Sequence, residues 1–167
     1  AQALRITKVP NVRSDDKPAA ETGRHIPMGE LEALLRAAYN DHSATGVRDA
    51  AILAVAWNCG PRVSEIAQLE RSDYDAETGK LVIRKGKGNK TRTTYLYNGA
   101  ARAMADWLAI RGDEAGPLFY AIRRGGHVQI GEGLSTEALA QMLAKRCQAA
   151  GIATVSYTHL RAHETDS

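Results

Sequence analysis

Two clusters of charge in this chain have the residue types and spacing to hold a phosphate. The first lies in Asn58-Cys59-Gly60-Pro61-Arg62-Val63-Ser64-Glu65-Ile66. An apolar run ends at Gly60, an arginine opens the next helix, and Glu65 stands about one turn later. A guanidinium there presents a planar fork of donors suited to phosphate. The helix start adds partial positive charge and free N–H groups. The same residues would equally make a plain Arg62–Glu65 ion pair on an exposed helix. The second cluster is Lys85-Gly86-Lys87-Gly88-Asn89-Lys90-Thr91-Arg92, with four cations in eight residues. Its glycines allow close backbone approach, and its charge suits a phosphate backbone. The alternative is a lysine-rich turn that serves solubility alone. It is not a P-loop, because the Gly-x-x-x-x-Gly-Lys-Ser/Thr spacing is absent.

The elements that must position these clusters follow from periodicity. Leu31, Leu34, Leu35 and Ala38 recur at helical spacing after Pro27. A second helix from about Val47 to Asn58 is apolar on nearly every face and reads as buried. Gly60 stops it, and Pro61 opens a helix whose apolar face is Val63, Ile66 and Leu69. Leu81-Val82-Ile83 and Thr93-Thr94-Tyr95-Leu96 are β-branched and aromatic, and they flank the lysine-rich turn as a hairpin. A helix from Ala100 to Arg111 and a short strand at Leu118-Phe119-Tyr120 come next, with a turn at Arg124-Gly125-Gly126. Ser135 caps a last helix, from about Thr136 to Ala150, which Gly151 ends. The order of helices, small antiparallel sheet and helices is α+β, mainly helical.

Composition narrows the classes. The chain has 167 residues, 44% hydrophobic and 25% charged, which is globular rather than disordered. No apolar run reaches the roughly 18 residues of a membrane span. Two distant cysteines, Cys59 and Cys147, exclude a disulfide scaffold and a clustered-cysteine zinc site, and suit a reducing cytoplasm. A net charge of +3 is compatible with a nucleic-acid partner. The histidines His25, His42 and His127 are isolated.

Taken together, the two clusters resemble the tyrosine recombinases, the phage-integrase family. Cys59-Gly60-Pro61-Arg62-Val63-Ser64-Glu65-Ile66-Ala67-Gln68-Leu69 is similar to that family's first arginine box, with Pro61 for the usual leucine and Cys59 for the usual threonine. The Gly-Lys-Gly-Asn-Lys-Thr-Arg turn is similar to a hairpin of the family, and Leu134–Leu139 through Gly151-Ile152 resembles the helix before its second box. The closest flavour is Xer-like. The resemblance implies a catalytic fold with a small antiparallel three-stranded sheet, incomplete at the C-terminus. It implies cleavage of one strand of duplex DNA through a 3′-phosphotyrosyl link, with no metal and no nucleotide cofactor. Arg62 would clamp the phosphate, Glu65 would orient the site, and Lys87 would be general acid at the leaving 5′-oxygen. Lys85, Lys90 and Arg92 would hold the DNA backbone. The implied partners are double-stranded DNA and further protomers, as a tetramer, in the cytoplasm and away from membranes.

The end of the chain departs from the family pattern. The second box should read His-x-x-Arg, yet His159 lies two residues before Arg161. Residues 155–165 also resemble one reading frame of a common sequencing adapter. Three readings stand: a foreign tail, a divergent second box of His159 and Arg161, and a His159/His163 metal pair lacking a nearby third ligand. The first divides the chain into an interdomain linker at 1–25, a partial catalytic domain at 26–154 and a non-native tail at 155–167. The absence of a starting Met fits such a piece. No tyrosine among Tyr39, Tyr74, Tyr95, Tyr97, Tyr120 and Tyr157 falls in a nucleophile position. The expectation is a recombinase piece that cannot itself cut DNA. The alternatives are a non-catalytic DNA-binding or regulatory protein on the same fold, and an unrelated basic binding module.

Overall fold

Apolar helical stripes form the helices where the sequence places them. A computed structural model describes residues 28–84 and 90–153. The segments read as linker and foreign tail lie outside the described residues. Helix α1 (Met28–Asn40) buries Leu31, Leu34 and Ala38 on one stripe. Helix α2 (Ala44–Cys59) starts three residues before the expected Val47, because Ser43 caps it by accepting the Gly46 N–H at 3.2 Å. Gly46 is required there: a Cβ would sit 1.7 Å from the Asp41 carbonyl oxygen. Residues Ala50 to Ala56 of α2 are all buried, so this helix is the axis of the core.

The next helix, α3 (Val63–Ala67), is only five residues long. The chain then makes a 3-10 turn at Arg71–Asp73, and Leu69 still reaches the core. Strands β1 (Lys80–Ile83) and β2 (Arg92–Tyr95) pair antiparallel with Ile83 opposite Arg92. Helix α4 (Asn98–Arg111) packs Met104 and Trp107 against α2. The Trp107 indole donates to the Leu118 carbonyl at 2.9 Å. Strands β3 (Tyr120–Arg123) and β4 (His127–Gly133) follow, and α5 (Thr136–Ala150) returns to pack on α1 and α3. Ser135 and Gly151 cap α5 as expected, with Ser135 Oγ accepting the Ala138 N–H at 3.1 Å.

The fold is α+β and mainly helical. The expected three-stranded sheet is instead two separate two-stranded antiparallel sheets, β1–β2 and β3–β4, among the described residues. Tyr74 adds only a single bridge, to Leu81. The second sheet contains β4, which the sequence reading did not anticipate. Its residues are mostly exposed, and the bulge between Tyr120 and Ile122 breaks the pairing.

A buried ion network joins α2, α5 and β3 to the loop that follows α1. Asp49 on α2 is 3% exposed. Its Oδ1 accepts from Arg48 Nη2 at 2.8 Å, and its Oδ2 accepts from Arg146 Nη2 at 2.8 Å and Nε at 2.9 Å. Arg48 also donates to the Tyr120 carbonyl at 3.1 Å, and Arg146 to Asp41 at 2.9 Å. Elsewhere, Arg111 is buried without a carboxylate partner among the described residues. It donates to the carbonyls of Gly112, Glu114, Pro117 and Leu118, and lies 4.4 Å over the Tyr120 ring.

Removing the central carboxylate leaves two buried guanidiniums facing each other. Asp49→Ala is therefore expected to lower stability by about 3–5 kcal/mol, read by urea denaturation. Burial pushes the Asp41 carboxyl up, but hydrogen bonds from Ser43 and Arg146 outweigh it and hold it below the usual aspartate range. Its contribution is then present above about pH 4 and lost as pH falls through the lowered value. The group is largely solvated, so the effect is at most about 1 kcal/mol. Asp41→Asn should flatten stability against pH in that acid window, read by urea melts at stepped pH.

Candidate functional site

The first charge cluster is built on a sharp corner. Gly60 takes φ 56° and ψ 39°, a left-handed conformation that ends α2, and its N–H closes on the Ala56 carbonyl at 3.1 Å. Pro61 is buried, and Arg62 enters α3 as its N-cap with extended backbone. Glu65, 5% exposed, turns its Oε2 back to accept the Arg62 backbone N–H at 2.7 Å. That is the carboxylate half of a capping box; a guanidinium cannot accept, so the other half does not exist here.

This arrangement separates Arg62's backbone from its side chain. The backbone is held by Glu65, while the guanidinium is exposed and has no hydrogen-bond or ion-pair partner among the described residues. An Arg62–Glu65 side-chain ion pair does not form. The cation that reaches Glu65 is Arg92, whose Nη2 lies 3.4 Å from Oε2 and 3.4 Å from the Cys59 carbonyl. Arg92 thus joins β2 to the same corner. The free fork of Arg62 at a helix start can take a tetrahedral anion.

The other predicted residues divide by position. Lys90 is exposed just before β2. Lys85 and Lys87, and His159 and Arg161 at the other end, lie outside the described residues. Tyr74 and Tyr120 are buried, and burial pushes the Tyr74 phenol up. Tyr39 is 43% exposed; partial burial first, then the nearby Asp106 charge, holds its proton more firmly. Tyr95 and Tyr97 are exposed and stacked on each other, with ring centres 6.1 Å apart. Burial also pushes the Cys59 thiol up, against hydrogen bonds from Asn58 and Thr94. His42 and His127 are exposed, and no group of three metal-ligating side chains occurs among the described residues.

Sequence reasoning missed Arg84, which donates to Asp73 at 2.8 Å and to the Gln68 carbonyl at 3.4 Å. It also missed the Asp41–Arg48–Asp49–Arg146 network. The signal was present: Arg48-Asp49 are adjacent opposite charges inside a helix apolar on nearly every face, and Arg146 shares its helix face with Leu139, Met142 and Leu143.

Comparison with known proteins places this geometry. The Phage integrase family model matches residues 24–165. Tyrosine recombinase XerC of Chromohalobacter salexigens is 32% identical over 146 residues, spanning 84% of this chain and 46% of that protein. Tyrosine recombinase XerC of Listeria innocua is 40% identical over 82 residues, 49% of this chain and 27% of that protein. The chain thus spans half or less of the length of these curated relatives. Among solved structures, XerA recombinase superposes with a TM-score of 0.67 at 24% identity, covering 81% of this chain and 47% of that one. XerH recombinase, in a pre-cleavage complex with its difH substrate, gives a TM-score of 0.59 at 22% identity, covering 81% and 40%. These likenesses share the helical fold, and the family match covers both charge clusters. The chain belongs to the phage integrase family of tyrosine recombinases.

Proposed function

We propose that the chain supplies the first-arginine part of the active site of a site-specific recombinase that breaks and rejoins duplex DNA through a 3′-phosphotyrosyl intermediate. The observation that carries this is the Arg62 guanidinium, exposed and unpartnered among the described residues while its backbone is fixed by Glu65. Cleavage of a phosphodiester builds negative charge on the non-bridging oxygens, and a preset cation lowers that barrier. Arg62 takes this role and Glu65 holds it in place. Lys87 donates the proton to the leaving 5′-oxygen, and Lys85 and Lys90 bear on neighbouring phosphates. Further protomers assemble with it on DNA, as a tetramer in the intact protein, and the reaction uses no cofactor.

The chain as given binds DNA without cutting it. His159 is one residue off the family's spacing to Arg161, Tyr74 and Tyr120 are buried in the core, and the exposed Tyr39, Tyr95 and Tyr97 precede the second-box position, whereas the family's nucleophile follows it. Residues 26–154 are the catalytic-domain part on this reading.

Two measurements test the reading. Binding of a short duplex should weaken steeply with salt, and Arg62→Ala and Lys87→Ala should each lower the log–log salt slope by about 0.9. Slopes unchanged in both variants would remove these residues from the DNA contact. A nicked suicide duplex should yield no covalent protein–DNA adduct; a trapped adduct would overturn the inactivity of this chain.

A further inference from the structure

The two stems of the β1–β2 hairpin are fastened by the same device, one at the Arg62 corner and one at the 3-10 turn that follows α3. At α3, the third-position carboxylate Glu65 accepts the N-cap N–H of Arg62 on Oε2, and that oxygen also faces Arg92 Nη2 at 3.4 Å. At the 3-10 turn, the third-position carboxylate Asp73 accepts the N-cap N–H of Glu70 on Oδ2 at 2.8 Å, and that oxygen also accepts Arg84 Nη2 at 2.8 Å. Each arginine reaches a carbonyl of the same segment as well, Cys59 for Arg92 and Gln68 for Arg84. Arg84 follows the last residue of β1, and Arg92 is the first of β2. Both stems of the hairpin are thus pinned by one helix-capping carboxylate apiece.

Strand geometry decides which way Arg92 faces. Successive residues of a strand point to opposite sides. Burial along β2 alternates, with Arg92 and Thr94 on the covered side and Thr93 and Tyr95 exposed. Leu96, next on the covered side, is 2% exposed. Arg92 therefore shares its face with a core leucine and turns toward Cys59 and Glu65. Its carboxylate partner is buried, so the pair is less screened than a surface ion pair, and losing Arg92 leaves Glu65 short of a donor.

We propose that Arg92 is a positioning residue, acting through Glu65 to fix the backbone that presents Arg62, and that it is not one of the phosphate contacts expected of the basic turn. The Arg62 consequence rests on the function proposed above; the link from Arg92 to the Arg62 backbone does not. Two readings of the full chain test it. The first is hydrogen exchange of backbone amides by NMR, without DNA. Arg92→Gln should cut protection of the Arg62 amide roughly tenfold, the loss of one charge-assisted contact. Arg92→Lys should restore most of it. Arg84→Gln should loosen the Glu70 amide instead and spare that of Arg62, which separates this link from general destabilisation. The second is duplex binding against salt. Arg92→Gln should weaken affinity with the slope unchanged, and adding Glu65→Gln should cost nothing further. An unchanged Arg62 amide, or a slope lower by about 0.9, would overturn the proposal. Wild-type chain that fails to bind duplex would count against the proposed function and leave the amide exchange to judge this link.

Discussion

The Asp49 carboxylate, held between two guanidiniums inside the helical core, is the constraint on which the rest depends. Its partners come from α2 itself and from α5, and through them it reaches Asp41 beyond α1 and the Tyr120 carbonyl on β3. A buried carboxylate is costly unless its oxygens are filled, and here each oxygen accepts charge-assisted bonds from one arginine. That requirement fixes the rotation of α2 about its axis more sharply than alanines and leucines could. Rotation matters because the far end of α2 is Gly60, from which the chain turns into Arg62. The network at one end of the helix therefore sets the direction of the functional corner at the other.

The arginines among the described residues do different jobs, distinguished by what meets the guanidinium. Arg48 and Arg146 meet carboxylates in the core. Arg111 meets backbone carbonyls of the loop after α4 and the face of the Tyr120 ring. Arg62 meets nothing among the described residues, and that is what makes it available. Among the described residues the buried charged ones are Arg48, Asp49, Glu65, Arg111 and Arg146, so part of the basic character of the sequence is internal. The net charge of +3 is thus a weak guide to the surface that a polyanion would meet.

Much of the fold was legible because helical stripes and caps are local signals. Leu31, Leu34 and Ala38 declare α1, and Ser135 and Gly151 bound α5 to the residue. The corner at Gly60-Pro61-Arg62 was legible for the same reason. What escaped depends on partners far along the chain. Strand β4 has few apolar residues, and its pairing with β3 is interrupted by a bulge, so no clean alternation marks it. Arg92 looked like one more cation of a basic turn, because composition dominates a short window. The alternation through Thr94 and Leu96 already put it on the covered side, and only the partner, Glu65, had to come from the structure.

The paired anchoring of the hairpin has an evolutionary corollary. Because Arg84 and Arg92 each tie their own stem to a different capping carboxylate, the geometry of the stems does not depend on the chain that joins them. A change in the joining segment would then alter the placement of its own lysines without moving the Arg62 corner. In the stems, a one-residue slip in β2 would exchange Arg92 with Thr91 or Thr93 and turn the arginine outward. Selection on such a hairpin should therefore act for two separate reasons, on the two stem arginines and their spacing for geometry, and on Lys85, Lys87 and Lys90 between them for the chemistry proposed for those lysines.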